Sequence, residues 1–315
     1  MGRMWYPLRP RKHRSYRTES NYTLTFKLDQ LNETDQALIC CWSARFPVCC
    51  LAYNKFRGDY LLTDIPSLSV CIPAYDMNGL GATYLEDSFR TLENQTLTDF
   101  EVIVSDQSSN NDILELCKAW YKRLTLHHYW NHGGKHQASA NANYALGKAR
   151  GSVYKVLFQD DFILAKSLLQ DIVNAFERED AMWLLTGSGV TRDGKTIERP
   201  MVPHLTPKLH FGKNTVSSPS VLAFRASSEY FFDENLIWLM DVELYARLWE
   251  KYGDPIILPE TLVANRLHSD QVSQKIDRSI QKRELDYVLK KSASFTRISG
   301  YLEYAKRRAK TFFFR

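Results

Sequence analysis

The 315-residue chain lacks any uninterrupted run of about 18 apolar residues, the length that a membrane-spanning helix requires. Its most apolar window, residues 37–53, is interrupted by Arg45 and Pro47, and we interpret it as two short strands. The basic amino terminus lacks the apolar core of a secretory signal. The sequence therefore predicts a cytoplasmic protein without a spanning helix.

Cysteine is scarce, and its spacing does not match a zinc site. None of the cysteines follows the C-x-x-C pattern that zinc sites use. In a reducing cytosol we expect buried thiols rather than disulfides or metal ligands. The six cysteines are Cys40, Cys41, Cys49, Cys50, Cys71 and Cys117.

The glycine pair in HGGKHQAS, residues 132–139, lacks the GxxxxGK[ST] spacing of a phosphate-binding loop, which argues against a P-loop NTPase. A flexible pair of glycines before a helix can still help to hold an anion. Four histidines near this segment lie on a predicted strand and loop with poor spacing for zinc, so we expect them to be surface or core residues. They are His127, His128, His132 and His136.

Positive charge is concentrated at the two ends of the chain. The net charge is +5, yet residues 1–20 alone carry +5 and residues 275–315 carry +8, so the remainder is acidic. Basic tails on an acidic body suggest an anionic partner that the tails contact. The alternative is that the tails only increase solubility.

Hydrophobic residues make up 44% of the chain, which is enough for one large domain or two small ones. From residue 66, short apolar runs alternate with segments whose apolar residues have helical spacing. This β-α-β-α-β-α-β order predicts a mixed, mostly parallel α/β sheet flanked by helices. We expect an extension of unknown role at 1–65, one sheet domain at 66–270 with halves at 66–165 and 166–270, and a basic helical tail at 271–315.

Carboxylates follow two of the predicted strands. FEVIVSD ends in Asp106, and VYKVLFQDDFIL places Asp160 and Asp161 after an apolar run. Because ligands of parallel sheets bind beyond the carboxyl ends of the strands, we expect these acids to face one crevice. Paired carboxylates suit Mg²⁺ or Mn²⁺, with Asp161 as the direct ligand. The alternative is a pair of helix-capping acids before FILAKSLL.

Several motifs occur together in a fixed order: SVCIPAY, VSDQSS, ANAN, FQDDFIL and FFDENLIWLMDVELYARL. In this order, over about residues 67–270, the chain resembles the family-2 glycosyltransferases. That resemblance implies a Rossmann-like GT-A fold and an inverting, nucleotide-sugar-dependent hexosyl transfer that requires a divalent metal. It also implies that residues 66–165 form the nucleotide-binding half and residues 166–270 the acceptor half of the domain.

The resemblance also implies roles for individual residues on the nucleotide side. Pro73, Ala74 and Tyr75 match the nucleotide-binding loop after the first strand. Asp106 matches the acid that hydrogen-bonds the base, and Lys135 lies where the family often has a basic residue near the diphosphate or base.

A second set of matches concerns the metal and the acceptor. Asp160 and Asp161 match the metal motif, with Asp160 near the ribose or supporting the metal ligand. Asp241 matches the general base, although Met240 replaces the usual preceding glutamate. His268 lies in a segment that matches a loop which, in some members, closes over the pyrophosphate. We count His268 with Asp161 as a metal ligand. The metal motif is shortened because Phe158 stands where a first aspartate is common.

The function expected from this resemblance is sugar transfer from a nucleotide diphosphate, with UDP as the first guess, to a glycan or lipid-linked hydroxyl. The basic carboxyl-terminal tail suits peripheral contact with the cytoplasmic face of a membrane. Packing of that tail on the body, or on a second subunit of a homo-oligomer, is an equal alternative. The rival function is a non-catalytic nucleic-acid-binding or scaffold protein that uses the basic tails. Asp241 favours the enzyme, with no nucleic acid as partner. A sugar nucleotidyltransferase is a weaker third possibility, because it usually has a Gly-rich opening loop.

Overall fold

The structure, a computed structural model, describes residues 65–226, 230–268, 271, 276–291, 302 and 304–309. The chain divides into units 1–63 and 64–315, and all described residues belong to the second unit. The predicted extension at 1–65 therefore lies outside the described residues, except for Ile65. The same holds for four of the six cysteines.

Strands and helices alternate through the first half, as the hydrophobic pattern predicts. The strands are β1 (Leu68–Ala74), β2 (Phe100–Asp106), β3 (Leu126–Trp130) and β4 (Val153–Val156). The helices between them are α1 (Gly81–Glu93), α2 (Asp112–Trp120) and α3 (Ala138–Leu146). Helix α3 ends at Leu146, where the backbone N–H of Gly147 caps the last turn.

Among the described residues, the second half contains five strands of unequal length and three α-helices. Its strands are β5 (Phe162–Ile163), β6 (Trp183–Thr191), β7 (Glu198–Met201), β8 (Leu222–Arg225) and β9 (Ile256–Arg266). Its helices are α4 (Leu168–Arg178), α5 (Met240–Tyr252) and, beyond β9, α6 (Arg278–Lys291). Strands β6 and β7 pair antiparallel and form a hairpin around Asp193 and Gly194.

Among the described residues, the strands form one sheet in the order β3-β2-β1-β4-β8-β6-β9-β5, with β7 beside β6. Strands β1 to β4 are parallel to one another, whereas β8 runs antiparallel to both β4 and β6. Strands β6 and β9 are again parallel. The predicted mixed, mostly parallel sheet is confirmed.

Helices cover both faces of this sheet because successive strand residues point to opposite sides. On β1, Leu68, Val70 and Ile72 pack into a core with α1, α2 and α4, whereas Cys71 joins a second core with α3, α5 and α6. The expectation of buried thiols is confirmed for Cys71 and Cys117, the cysteines that the structure describes.

Helix α6 brings part of the basic tail onto the body. Leu285 and Val288 are buried in the second core, and Lys291 pairs with Asp233 and Glu243. Of the two alternatives for the tail, packing on the body therefore applies to residues 278–291. In the portion of the chain that is described, no helix is both long and apolar enough to span a membrane.

Candidate active site

Two adjoining cavities open at the carboxyl-terminal edge of the parallel strands. The first is lined by Asp160, Asp161, Asp241 and His268, among others. The second lies toward β1 and shares Asp160, among others, with the first. The structure thus brings the predicted metal acids and the predicted base to the wall of one cleft.

Asp161 lies just beyond β4 and is almost fully buried. Its Oδ1 accepts a hydrogen bond from the backbone N–H of Arg266 at 3.0 Å, and its Oδ2 accepts one from the Ser218 hydroxyl at 3.2 Å. Burial, and secondarily the negative charge of Asp160, raises the pKa of the Asp161 carboxyl. A desolvated acid that borders a cavity is stabilised by a bound cation, so the side chain fits the predicted metal.

Asp160 is oriented away from Asp161 and toward the loop after β9. Its Oδ2 lies 3.0 Å from Nε2 of His268, and the ring of Tyr84 packs against that histidine with centroids 5.6 Å apart. The guanidinium of Arg266 donates to the main-chain oxygen of Asp160 at 3.1 Å and pairs with Asp87 at 2.7 Å. The two adjacent aspartates therefore have different partners.

Asp241 lies in the first turn of α5 at the edge of the first cavity. Its Oδ1 accepts from the backbone N–H of Val242 at 2.7 Å, and its Oδ2 accepts from Asn214 Nδ2 at 2.8 Å. Burial raises the pKa of Asp241 to about 7, and the negative charge of Glu284 adds to this effect. A carboxylate with such a pKa is well suited to accept a proton near neutral pH.

The loop at residues 214–218 connects the two acidic centres. Asn214 donates to Asp241 and to the main-chain oxygen of Ser217, while Ser218 donates to Asp161. Tyr245, one turn after Asp241 in α5, donates its hydroxyl to the main-chain oxygen of Ser218 at 2.9 Å. No sequence pattern identified this loop, because its role depends on contacts with residues distant in the chain.

The nucleotide-side loop after β1 is held by an amide side chain. Gln159 accepts from the backbone N–H of Tyr75 at 2.5 Å and donates to the main-chain oxygen of Tyr75 at 2.9 Å. Pro73 and Tyr75 line the second cavity, and the Tyr75 side chain is 42% exposed at its rim. Ala74 contributes its main-chain oxygen, which accepts from Asn141 Nδ2 at 2.9 Å.

Helix α3 joins the two sides of the cleft through its asparagines. Asn141 binds Ala74 on the nucleotide side, whereas Asn143 donates to and accepts from the backbone of Phe232 at 2.9 and 2.7 Å. Asparagine is unfavourable in helix interiors unless its amide has a partner, so the ANAN motif was the available signal.

Asp106 and Lys135 do not project into the cleft in this structure. Asp106 is fully buried, with Oδ2 at 2.9 Å from His128 Nε2 and Oδ1 accepting from the backbone N–H of Ser108. The exposed Lys135 donates to the main-chain oxygen of Glu234 at 2.9 Å. At this end of the second cavity the wall includes Gln107 and His136.

Solved structures with this fold bind nucleotide sugars. The structure of residues 1–349 of TarS from S. aureus in complex with UDP-GlcNAc matches with a TM-score of 0.57 and 15% identity, over 78% of this chain and 80% of that one. The mannosyltransferase PcManGT from Pyrobaculum calidifontis, in complex with GDP-Man and Mn²⁺, matches with a TM-score of 0.52 and 16% identity, over 88% of this chain and 81% of that one. These similarities confirm the predicted GT-A fold.

The sequence model of glycosyl transferase family 2 matches residues 69–230, just over half of the chain, so the chain belongs to this family. A GalNAc(5)-diNAcBac-PP-undecaprenol beta-1,3-glucosyltransferase of Campylobacter jejuni is 30% identical over 105 residues, 33% of each chain. An uncharacterized glycosyltransferase of Rickettsia bellii is 26% identical over 238 residues, covering 70% of this chain and 32% of that one. The chain spans about a third of the length of the curated relatives it matches.

Proposed function

We propose that this chain is an inverting glycosyltransferase that moves a sugar from a nucleotide diphosphate to a hydroxyl group. The observation that carries the proposal is a pair of acids, the buried Asp161 and the half-buried Asp241, on the wall of one cavity and bridged by residues 214–218. Family membership and the fold support the same reaction class.

Asp241 is proposed as the general base. The acceptor oxygen forms a bond to the anomeric carbon while the bond from that carbon to the diphosphate oxygen breaks, and Asp241 takes the proton from the acceptor hydroxyl. Displacement from the side opposite the leaving group inverts the anomeric configuration. The raised pKa of Asp241 supports this role because a base titrating near neutrality accepts the proton with a favourable driving force.

Asp161 is proposed as the residue that holds a divalent cation, Mn²⁺ or Mg²⁺, together with the diphosphate. When bound, that cation stabilises the negative charge of the leaving group as a Lewis acid. Asp160 and His268, paired with each other, are proposed to complete the diphosphate side. Among the described residues no three His, Cys, Asp or Glu side chains cluster as ligands, which fits an ion that takes its other ligands from substrate and water.

On the donor side we propose that Pro73, Ala74 and Tyr75 bind the nucleotide in the second cavity. UDP is the first candidate, supported by the UDP-GlcNAc bound to TarS, and the GDP-Man bound to PcManGT makes guanine the first alternative to test. For Asp106 to bind the base and Lys135 the diphosphate, both must exchange their present partners, His128 and Glu234, for the ligand.

The acceptor is proposed to be a lipid-linked glycan. The support is the Campylobacter jejuni relative, whose name describes an acceptor carried on PP-undecaprenol. Peripheral attachment to the cytoplasmic face of a membrane through the basic carboxyl-terminal tail remains part of this proposal. A homo-oligomer also remains a prediction.

The test is a panel of UDP- and GDP-sugars scored by thermal shift with and without Mn²⁺ or Mg²⁺, followed by transfer assays with the stabilising donor. We expect one nucleotide class to stabilise the protein only with the metal, and the stabilising sugar to be transferred to a glycan acceptor. No stabilisation by any donor would contradict the proposal and favour the rival function as a binding or scaffold protein.

A further inference from the structure

Glu284 connects the carboxyl-terminal helix to the cleft. It lies on α6, beyond the matched region 69–230, and its residue is 1% exposed. Its carboxylate accepts hydrogen bonds from consecutive backbone N–H groups: Oε1 from Ile237 at 2.8 Å, and Oε2 from Trp238 and Leu239, each at 2.9 Å. A buried carboxylate held by amide donors fixes the backbone that supplies those donors.

The three amides belong to the segment that leads into α5. Leu239 is the residue before the first turn of α5, and Asp241 lies two residues further on. The side chains of Ile237 and Trp238 line the first cavity beside Asp241. A shift of this segment therefore moves both the cavity wall and the proposed base.

Residues 232–236, which precede the three amides in the chain, are fixed by α3 rather than by α6. Asn143 binds the backbone of Phe232 in both directions, and Ser139 donates to the main-chain oxygen of Leu236 at 2.9 Å. Helix α3 thus anchors residues 232–236, while Glu284 anchors the following residues up to the start of α5.

We propose that Glu284 is a positioning residue for sugar transfer, which makes helix α6 part of the catalytic centre. This inference rests on the proposed function of Asp241. Glu284 fixes the backbone immediately before Asp241 and so determines where that carboxylate lies relative to the acceptor hydroxyl. Because rates depend steeply on the alignment of reacting groups, the hold on this backbone acts on turnover rather than on donor binding.

The charge of Glu284 acts on Asp241 as well. Burial is the main cause of the raised pKa of Asp241, and the Glu284 charge raises it further. The other titratable groups facing this region are Tyr245 on α5 and Asp161 across the cavity, where Asp160 and His268 also lie. Glu284→Gln removes one negative charge and leaves these groups in place, so the pKa of Asp241 falls.

The experiment compares Glu284→Gln with Asp286→Asn, a matched charge removal on the same helix, where Asp286 contacts Tyr304 and Arg308 instead. We expect Glu284→Gln to lower kcat by about 10- to 100-fold while the donor KM changes less than about threefold. The acidic limb of its pH profile should move to lower pH. Amide hydrogen exchange of residues 237–239 should accelerate in Glu284→Gln and stay unchanged in Asp286→Asn.

A wild-type kcat in Glu284→Gln, or equal losses in kcat and donor binding that follow a drop in Tm, would overturn the inference. Glu284→Asp keeps an anionic acceptor and should recover part of the lost kcat; it replaces Glu284→Gln if that variant does not fold. Failure of the wild-type protein to transfer sugar would refute the proposed function itself. If the wild-type protein transfers sugar but Glu284→Gln behaves like wild type, Asp241 remains the proposed base and Glu284 has no positioning role.

Discussion

The two sides of the cleft are built differently. On the nucleotide side, strands β1, β2 and β4 end at one edge of a parallel sheet, and neutral amides such as Gln159 hold the loop after β1. On the acceptor side, Asp241 is held by a loop and a helix from distant parts of the chain, through Asn214 and, indirectly, Glu284. The strand ends of the first side follow from local sequence patterns, whereas the position of Asp241 on the second side depends on long-range contacts.

This difference has an electrostatic counterpart. Two of the acids that line the first cavity, Asp161 and Asp241, have raised pKa values because burial disfavours their charged forms. The nucleotide side is instead lined mostly by neutral groups, including Pro73, Gln107 and Asn141. Changes to the acids should therefore act on chemistry and metal binding, while changes to the nucleotide side should act on donor affinity.

The largest expected effect is that of Asp241→Asn. Removal of the general base should lower the transfer rate by about 10²- to 10⁴-fold, because an amide cannot accept the proton. Donor affinity should stay within about threefold of wild type, since Asp241 does not line the nucleotide cavity. The measurement is steady-state transfer beside isothermal titration with the donor.

Glu250→Gln is the matched control for that comparison, because Glu250 is an exposed acid on the same helix α5. Its kcat should equal that of wild type. Normal transfer by Asp241→Asn would show that Asp241 is not the base.

The next largest effect concerns the metal. Asp161→Asn should abolish the stabilisation by Mn²⁺ plus nucleotide diphosphate, a shift of several degrees in wild type at saturating ligand. Asp160→Asn should reduce the metal-dependent thermal shift less than Asp161→Asn does. The carboxylate of Asp160 pairs with His268, whereas that of Asp161 accepts from the backbone N–H of Arg266. Equal metal-dependent shifts in both variants would contradict the different roles of the two aspartates.

A smaller effect is expected on the nucleotide side, at Gly81. A Cβ at this position would clash with the main-chain oxygen of Tyr75, so Gly81→Ala must displace the loop that forms the cavity rim. We expect a destabilisation of about 1–3 kcal/mol and a raised donor KM with a smaller change in kcat. Urea unfolding and donor titration measure the two quantities.

Gly133→Ala is the matched control, since a Cβ there meets no atom within 4 Å and the backbone has no positive φ. Unchanged donor KM in Gly81→Ala would show that the close approach of Gly81 to Tyr75 does not shape the donor site.

The smallest expected effect is the pH dependence that Asp241 gives to the free energy of unfolding. The pKa of Asp241 is raised from 3.8 to about 7, so between these values the folded protein binds more protons than the unfolded chain. The contribution of Asp241 to stability therefore falls as pH rises through this window, just as its proposed activity as a base increases. Since the side chain borders an open cavity, solvent limits this cost at pH 8 to about 1–2 kcal/mol.

Urea unfolding of wild type and Asp241→Asn at pH 4 and pH 8 measures this cost. The asparagine variant should gain stability relative to wild type at pH 8, and most of this gain should be absent at pH 4. A difference between the two proteins that does not depend on pH would contradict the raised pKa.

Much of the fold was predictable from the sequence, because apolar runs and helical spacing report burial directly. The positions of Asp160 and Asp161 beyond β4 followed from the same pattern. The loop at 214–218 and Glu284 were not predictable, since a polar residue in a loop or on a helix does not reveal a partner tens of residues away. Gln159 belongs to the FQDDFIL motif, yet its bond to Tyr75 depends on how β1 and β4 pair.

The most direct test of the central claim is the anomeric configuration of the first-formed product, followed by NMR during transfer from an α-configured nucleotide sugar. If Asp241 activates the acceptor on the side opposite the diphosphate, the new glycosidic bond is β from the earliest time point. An α-linked product would contradict direct displacement with Asp241 as the base.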